Sequence, residues 1–159
     1  MTVMNGKRLN LASALGRGVF AGLAGTVAMT AFQKFVEMPI TQREESYAPA
    51  MFAKRVLPFQ PTDQQQEARL NYITHYSLGA MWGSAYGVAA SAGLRGRRAV
   101  LTVFGVVYTG DVVLNTALGL YEPWKWSKQD IIVDVLDKFV QAAATGVIFD
   151  RFLDPARTS

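Results

Sequence analysis

Asp111 is the only charged side chain in AVLTVFGVVYTGDVVLNTALGLY, residues 99–121. That run is long enough to cross a bilayer as a helix. A carboxylate held there is costly unless it faces a protein interior or a water-filled cavity, so it marks a candidate site. Asn115 lies one helical turn further on. A second apolar run, Ile131 to Phe149, carries Asp134, Asp137 and Lys138. Asp134 and Lys138 stand four apart with the acid first, the order that pairs along one helix face. Asp111 and Asp137 are left with His75, the one histidine. Two carboxylates in a low dielectric do not both ionise cheaply, and an imidazole with an ordinary pKa of about 6.5 can mediate their protons. The expected site is therefore a proton-, cation- or ligand-binding cluster of Asp111, Asp134, Asp137, Lys138, His75 and Asn115. A salt-bridge network that only fixes helix register uses the same residues with Lys138 as counter-ion. Glu37 and Arg43 flank Pro39 just beyond the first apolar run, where an acid–base pair could close a lid over the site.

Other chemistries lack their residues. With no cysteine, disulfides and thiolate metal sites are excluded. There is no G-x-S-x-G, P-loop, H-E-x-x-H or Rossmann pattern, and one histidine cannot supply a His-rich zinc site or a bis-His haem. The acids and His75 are spaced too loosely for a specific divalent site. The expectation is no catalytic residue, no metal and no cofactor, and an activity other than enzymatic.

The elements that would hold these residues are four membrane spans, at about 16–36, 70–94, 99–121 and 130–150, in one all-α domain covering residues 1–159. A soluble bundle is the competing architecture, but its helices average about 11 residues and show a polar face. Residues 70–94 contain no Asp, Glu, Lys or Arg. A cleaved signal peptide built on Lys7, Arg8 and the Gly18–Phe32 run would have too long an apolar region and no A-x-A site. Thr62 with Gln65 and Ser127 with Asp130 read as capping boxes at helix starts. Pro49 to Leu57 reads as a short helix on the membrane surface with Met51, Phe52 and Val56 towards lipid, or as an ordinary loop.

Small residues recur every four positions at Gly79, Gly83, Gly87 and Ser91. Gly18 with Gly22, Ala21 with Gly25, and Ala142 with Gly146 repeat the spacing, which lets helix backbones approach closely. The groove serves packing within the chain, a homodimer or another membrane protein. Gly105 and Gly110 do not share the spacing.

Lys7, Arg8 and Arg17 precede the first span, and Arg95, Arg97 and Arg98 join the second to the third. The positive-inside rule then puts both termini in the cytoplasm. The net charge of +4 follows from this topology and attracts anionic lipid, while no nucleic-acid-binding motif is present. At ~1.5 Å rise per residue, Asp111 lies about 15 Å from the outer end of its span, and His75, Asp134, Asp137 and Lys138 also fall in the outer half. One cavity opening outward is the expected arrangement.

Glu37-Met38-Pro39-Ile40-Thr41-Gln42-Arg43 after the first span, Thr74-His75 leading into a glycine-rich helix with Tyr86, and Pro123-Trp124 before an acid-bearing last helix resemble the YagU-type small bacterial inner-membrane proteins. The resemblance implies four spans, an inner-membrane location and importance for Glu37, Arg43 and His75. It supplies no substrate. The chain departs from the pattern in its last helix, where Asp134 and Asp137 stand in place of a Glu and His arrangement. The combined expectation is a protein that binds or passes a proton, cation or small polar solute. The alternative is an accessory subunit that holds a partner on its Gly79, Gly83, Gly87 face.

Overall fold

Local signals set the ends of five α-helices in the computed structural model, which describes residues 10–154. They are α1 (Leu11–Phe32), α2 (Ala48–Val56), α3 (Gln64–Ser91), α4 (Gly96–Ala117) and α5 (Lys128–Ile148), and no strand occurs among the described residues. The Asn10 side chain caps α1 by accepting from the Ser13 N–H at 2.8 Å. At α5 the expected box forms in full: Ser127 Oγ accepts from Asp130 N–H and the Asp130 carboxylate accepts from Ser127 N–H. The box at α3 lies one residue later than Thr62 and Gln65. Asp63 accepts from Gln66 N–H, and the Gln66 side chain reaches back to the Thr62 N–H. A carboxylate outcompetes a hydroxyl here because it is the stronger acceptor at the positive helix end.

Two helices continue past their regular ends through π-helical turns. Gln33–Glu37 extends α1 into Met38–Thr41, and Phe149–Leu153 extends α5. Gln42 then stops the first extension with a left-handed backbone, φ 58°. Gly93 and Gly119 end α3 and α4 with φ of 93° and 72°, and the Leu94 and Leu120 N–H groups return to the Ala89 and Asn115 carbonyls. These are Schellman-type stops, which need a residue that tolerates positive φ.

α1 is the axis of the bundle, with α3 on one side and α5 on the other. A β-carbon on Gly83 would sit 2.6 Å from the Gly22 Cα, and one on Gly87 would sit 2.8 Å from the Ala14 carbonyl carbon. Gly18, Gly22, Gly79, Gly83 and Gly87 thus form a backbone-to-backbone seam within the monomer. Gly25 lies against Gln141 and Thr145, which brings α5 onto the other side of α1. α4 joins differently, through rings. Phe104 stacks on Tyr108 with centroids 5.3 Å apart, meets Phe139 edge-on at 5.5 Å, and approaches Trp82 at 6.5 Å. Gly105 and Gly110 have open space around them, as their spacing predicts.

Composition alone qualifies two helices, not four, as long and apolar enough to cross a membrane: Leu11–Thr41 and Gly96–Ala117. Mid-helix Asp134, Asp137 and Lys138 disqualify α5, and Gln, Asn, His, Ser and Gly lower the hydropathy of α3 below the same threshold. In the two qualifying helices only 28% and 17% of the apolar window is buried. Core helices of a soluble protein are mostly buried. The outward surface carries Phe20, Phe35, Ile73, Val106, Ile132 and Phe152, each more than 60% exposed. The interior holds small residues such as Ala14, Ala21 and Ala142 together with Thr26, Asn71, Asn115, Asp137, Gln141 and Thr145.

α2 is a helix rather than a loop. Its Ala50 and Ala53 face the protein, and Met51 and Val56 face out as expected. Phe52 departs from the expected lipid-facing set and lines a cavity between the helices. Asn71 of α3 holds the segment, accepting from Ala50 N–H at 3.0 Å and donating to the Ser46 carbonyl at 3.0 Å. Lys54 pairs with Glu67, and Arg55 donates to the Leu118 carbonyl at the end of α4. At the opposite end of the bundle Arg17 donates to the Leu153 carbonyl and Arg95 pairs with Asp154, near Arg97 and Arg98. Lys7 and Arg8, which share in the topology expectation, lie outside the described residues.

Candidate functional site

A cavity of about 490 Å³ lies among α1, α3, α4 and α5 at the α2 end of the bundle. All eight residues expected at the site or its lid border it: Asp111, Asp134, Asp137, Lys138, His75, Asn115, Glu37 and Arg43. Their pairing differs from expectation in three respects.

Asp111 is not the unpaired acid. Lys138 Nζ lies 2.9 Å from Asp111 Oδ2 and donates to Asp134 Oδ1 at 2.6 Å, so one ammonium bridges α4 and α5. The pair with Asp134 is the one its i, i+4 spacing predicts. The pair with Asp111 depends on how α4 is rotated against α5, which no local spacing encodes. The Asn115 amide donates to Asp111 Oδ1 at 3.0 Å, and the Tyr108 hydroxyl donates to Asp134 Oδ2 at 2.9 Å. The rings of Tyr108 and Tyr121 lie 5.2 and 5.4 Å from the ammonium and stabilise it further through their π faces. Both tyrosines were missing from the expected site. Tyr108 is signalled by its position three residues before Asp111, on the same helix face; Tyr121 lies beyond the helix and has no such local signal.

Asp137 is the acid without a cation. It is 7% exposed, and its Oδ2 accepts from the Gln33 amide at 2.8 Å. Its Oδ1 is buried with no hydrogen-bond partner among the described residues. Glu37, 8% exposed, also borders the cavity and accepts from the Thr41 hydroxyl at 2.6 Å. Both acids meet α1 through its π-turn: Gln33 opens the turn and Glu37 closes it. Such turns are enriched at functional sites because they re-aim side chains relative to a regular helix. Deeper in, Gln141 donates to Thr26 Oγ1 at 3.1 Å and Thr26 to the Gly22 carbonyl at 2.8 Å, stitching α5 to α1 below the acids.

His75 borders the cavity but makes no hydrogen bond to either Asp111 or Asp137 among the described residues. Its Nε2 is 3.1 Å from Thr30 Oγ1, and its ring meets Tyr76 edge-on at 5.7 Å. The Glu37–Arg43 lid pair does not form either. The left-handed Gln42 turns the chain, and Arg43 goes to Asp130 at 3.7 Å on the surface. The Gln129 amide reaches the Thr41 carbonyl beside it. Residues 44–52 contribute Glu44, Glu45, Ser46, Pro49 and Phe52 to the cavity lining. Glu45 accepts from the Tyr72 hydroxyl at 2.8 Å, and Lys34 lies over the Tyr72 ring.

Six carboxylates and three basic side chains line this space. Lys138 is shared by two acids, Arg43 pairs outside it and Lys34 lies over the Tyr72 ring, so Asp137 and Glu37 border the cavity without an ion-pair partner among the described residues. Among the described residues no group of three His, Cys, Asp or Glu is arranged to hold a metal ion. No protein-family model, no curated protein and no solved structure matches the chain.

Proposed function

We propose that this is a small multi-pass membrane protein, with four spans and both termini in the cytoplasm, that binds or passes a proton, cation or small polar solute through the cavity at the α2 end. The observation that carries the reading is an inverted distribution of polarity. Large apolar side chains cover the outside of α1, α3, α4 and α5, whereas polar and charged groups converge on one cavity of about 490 Å³ between the helices. In water that surface would be a liability far larger than an ordinary apolar patch. In lipid it needs no partner, and intramembrane ionisable groups facing a cavity mark a solute or ion path. The charges that exclude α5 from a composition-based span all lie on the protected side of this arrangement. A bacterial inner membrane is the location in keeping with the YagU-type resemblance.

Asp137 is the residue on which the function rests, because Asp111 and Asp134 are already occupied by Lys138. A role as an accessory subunit would need a face other than Gly79, Gly83 and Gly87, which α1 covers within the chain.

The test has two stages. Alkaline carbonate should leave the protein in the membrane pellet, and extraction into the supernatant refutes the membrane reading. Full-length protein in liposomes should then show flux of protons, potassium or glycerol that Asp137→Asn removes. Equal flux in parent, variant and protein-free vesicles for all three probes, with no ligand binding to the solubilised protein, refutes the functional reading.

A further inference from the structure

We propose that the solute is an organic ammonium with an apolar body, bound with its N–H donors on Asp137 beside Glu37. The inference rests on the membrane-cavity reading above and names the class of molecule that fits it.

Three observations narrow the class. The first is charge. Asp137 is 93% buried, lines the cavity and presents an Oδ1 that accepts no hydrogen bond from the described residues. A buried carboxyl oxygen without a donor is an expensive thing to maintain, and a charged donor is the partner that relieves it most. Glu37 adds a second carboxyl group to the same lining, while Lys138 is held away on Asp111 and Asp134. Of the other two basic side chains on the lining, Arg43 pairs with Asp130 and Lys34 lies over Tyr72, so neither is paired with Asp137 or Glu37.

The second is size. A water takes about 30 Å³ of liquid volume, and pockets for small organic ligands run from about 300 Å³ upward. At about 490 Å³ the cavity is far larger than a bare alkali cation needs. Nor do the described residues offer the convergent His, Asp and Glu ligands that a divalent metal would require.

The third is the chemistry of the remaining walls. Met29, Leu78, Met81, Trp82, Leu114 and Val133 share the lining with the acids. Thioethers, an indole and branched aliphatic groups suit a hydrocarbon or aromatic body. The chain itself supplies an internal example of the same recognition. The Lys138 ammonium sits between two carboxylates and two tyrosine rings. A free primary amine on Asp137 would use the same ammonium–carboxylate contact one residue away.

The experiment uses the full chain in detergent and follows binding by calorimetry and by the fluorescence of Trp82, with Trp124 and Trp126 replaced by Phe. The probes are 2-phenylethylamine, its neutral counterpart 2-phenylethanol, tetramethylammonium and potassium, all at pH 7. The amine should bind about tenfold or more tightly than the alcohol, and Asp137→Asn should remove that preference while leaving alcohol binding in place. Tetramethylammonium, which lacks an N–H, should bind more weakly than the amine. Equal affinity for amine and alcohol overturns the inference, as does an amine preference that survives both Asp137→Asn and Glu37→Gln. The amine–alcohol comparison needs only the parent chain, so a variant that fails to fold does not spare the proposal. If potassium binds or protons flow in an Asp137-dependent manner and the amine does not bind, the ammonium inference fails and the cavity reading stands. If none of the four probes binds and no flux is seen, both fail.

Discussion

Gly83→Ala forces apart two backbones that now touch. The added carbon would lie 2.6 Å from both the Cα and the N of Gly22, against an ordinary contact of 3.4 Å or more. Its neighbours are main-chain atoms, so no side-chain rotation relieves the overlap. The Gly18 carbonyl oxygen lies closer still, so the helices must separate by more than about 0.8 Å, and a radial gap of 0.5–1 Å already forfeits roughly a quarter to a half of each dispersion contact it opens. Gly18, Gly22, Gly79 and Gly87 lie along the same seam and lose contact with it. Overpacking of this kind costs about 1–3 kcal/mol, and a backbone clash belongs at the upper end. Alanine returns about 1 kcal/mol through its better helix propensity, leaving a net loss of about 2 kcal/mol. At roughly 2–4 °C per kcal/mol for a chain of this size, thermal unfolding of the detergent-solubilised protein by circular dichroism should fall by about 4–8 °C. Gly105→Ala is the control, because nothing lies within 4 Å of a β-carbon there. It should raise the midpoint by about 2–4 °C, from propensity alone. Two substitutions identical in chemistry should thus move stability in opposite directions. A Gly83→Ala midpoint equal to or above the parent's would refute the close seam between α1 and α3.

Lys138→Met should be the most damaging single change at the site, since it leaves Asp111 and Asp134 without their shared cation; a loss of about 3 kcal/mol or more is expected in the same melt. Asp137→Asn should stay within about 1 kcal/mol of the parent, because no cation is lost and Gln33 can still donate to the new amide oxygen. Arg55→Ala frees the end of α2 from the Leu118 carbonyl, so amide exchange should quicken over residues 48–56 and remain unchanged in α1 and α3; uniform exchange would argue against a separately anchored segment. The absence of cysteine makes topology directly readable. A membrane-impermeant maleimide should label Lys125→Cys in intact cells and Arg97→Cys only after permeabilisation, and the reverse pattern would invert the orientation.

Local rules carried well into the structure, and long-range ones did not. The Ser127–Asp130 box and the Asp134–Lys138 pair depend on spacing within a single helix, so both can be read from sequence. The four-residue glycine repeat announced a close seam but not its partner; α1 rather than a second chain fills it. The convergence of polar groups followed from depth along each helix, which length alone approximates. Which acid receives the lysine was not readable, because it depends on rotating α4 against α5, and each residue of error turns a helix by about 100°. Glu37 and Arg43 were near in sequence, yet a single left-handed residue, Gln42, sends them to different partners. Of the two acids left over by local spacing, Asp111 gains Lys138 and Asp137 does not, for reasons of tertiary geometry only.

The π-turn at Gln33–Glu37 has a bearing on how the chain tolerates insertion and deletion. One extra residue is wound into α1 there, with the Met38 N–H returning to the Gln33 carbonyl five positions back. Removing a single residue just after Gln33 would let the helix close into ordinary α geometry, preserving everything before the turn and keeping the Met38–Thr41 segment helical. The packing seam would be indifferent to such a deletion. The cavity would not, because Gln33 and Glu37 would lose their relative phase and with it their joint relation to Asp137. The turn is thus a point where the length of the gene segment, rather than the identity of any one side chain, separates a protein that merely folds from one that keeps its site.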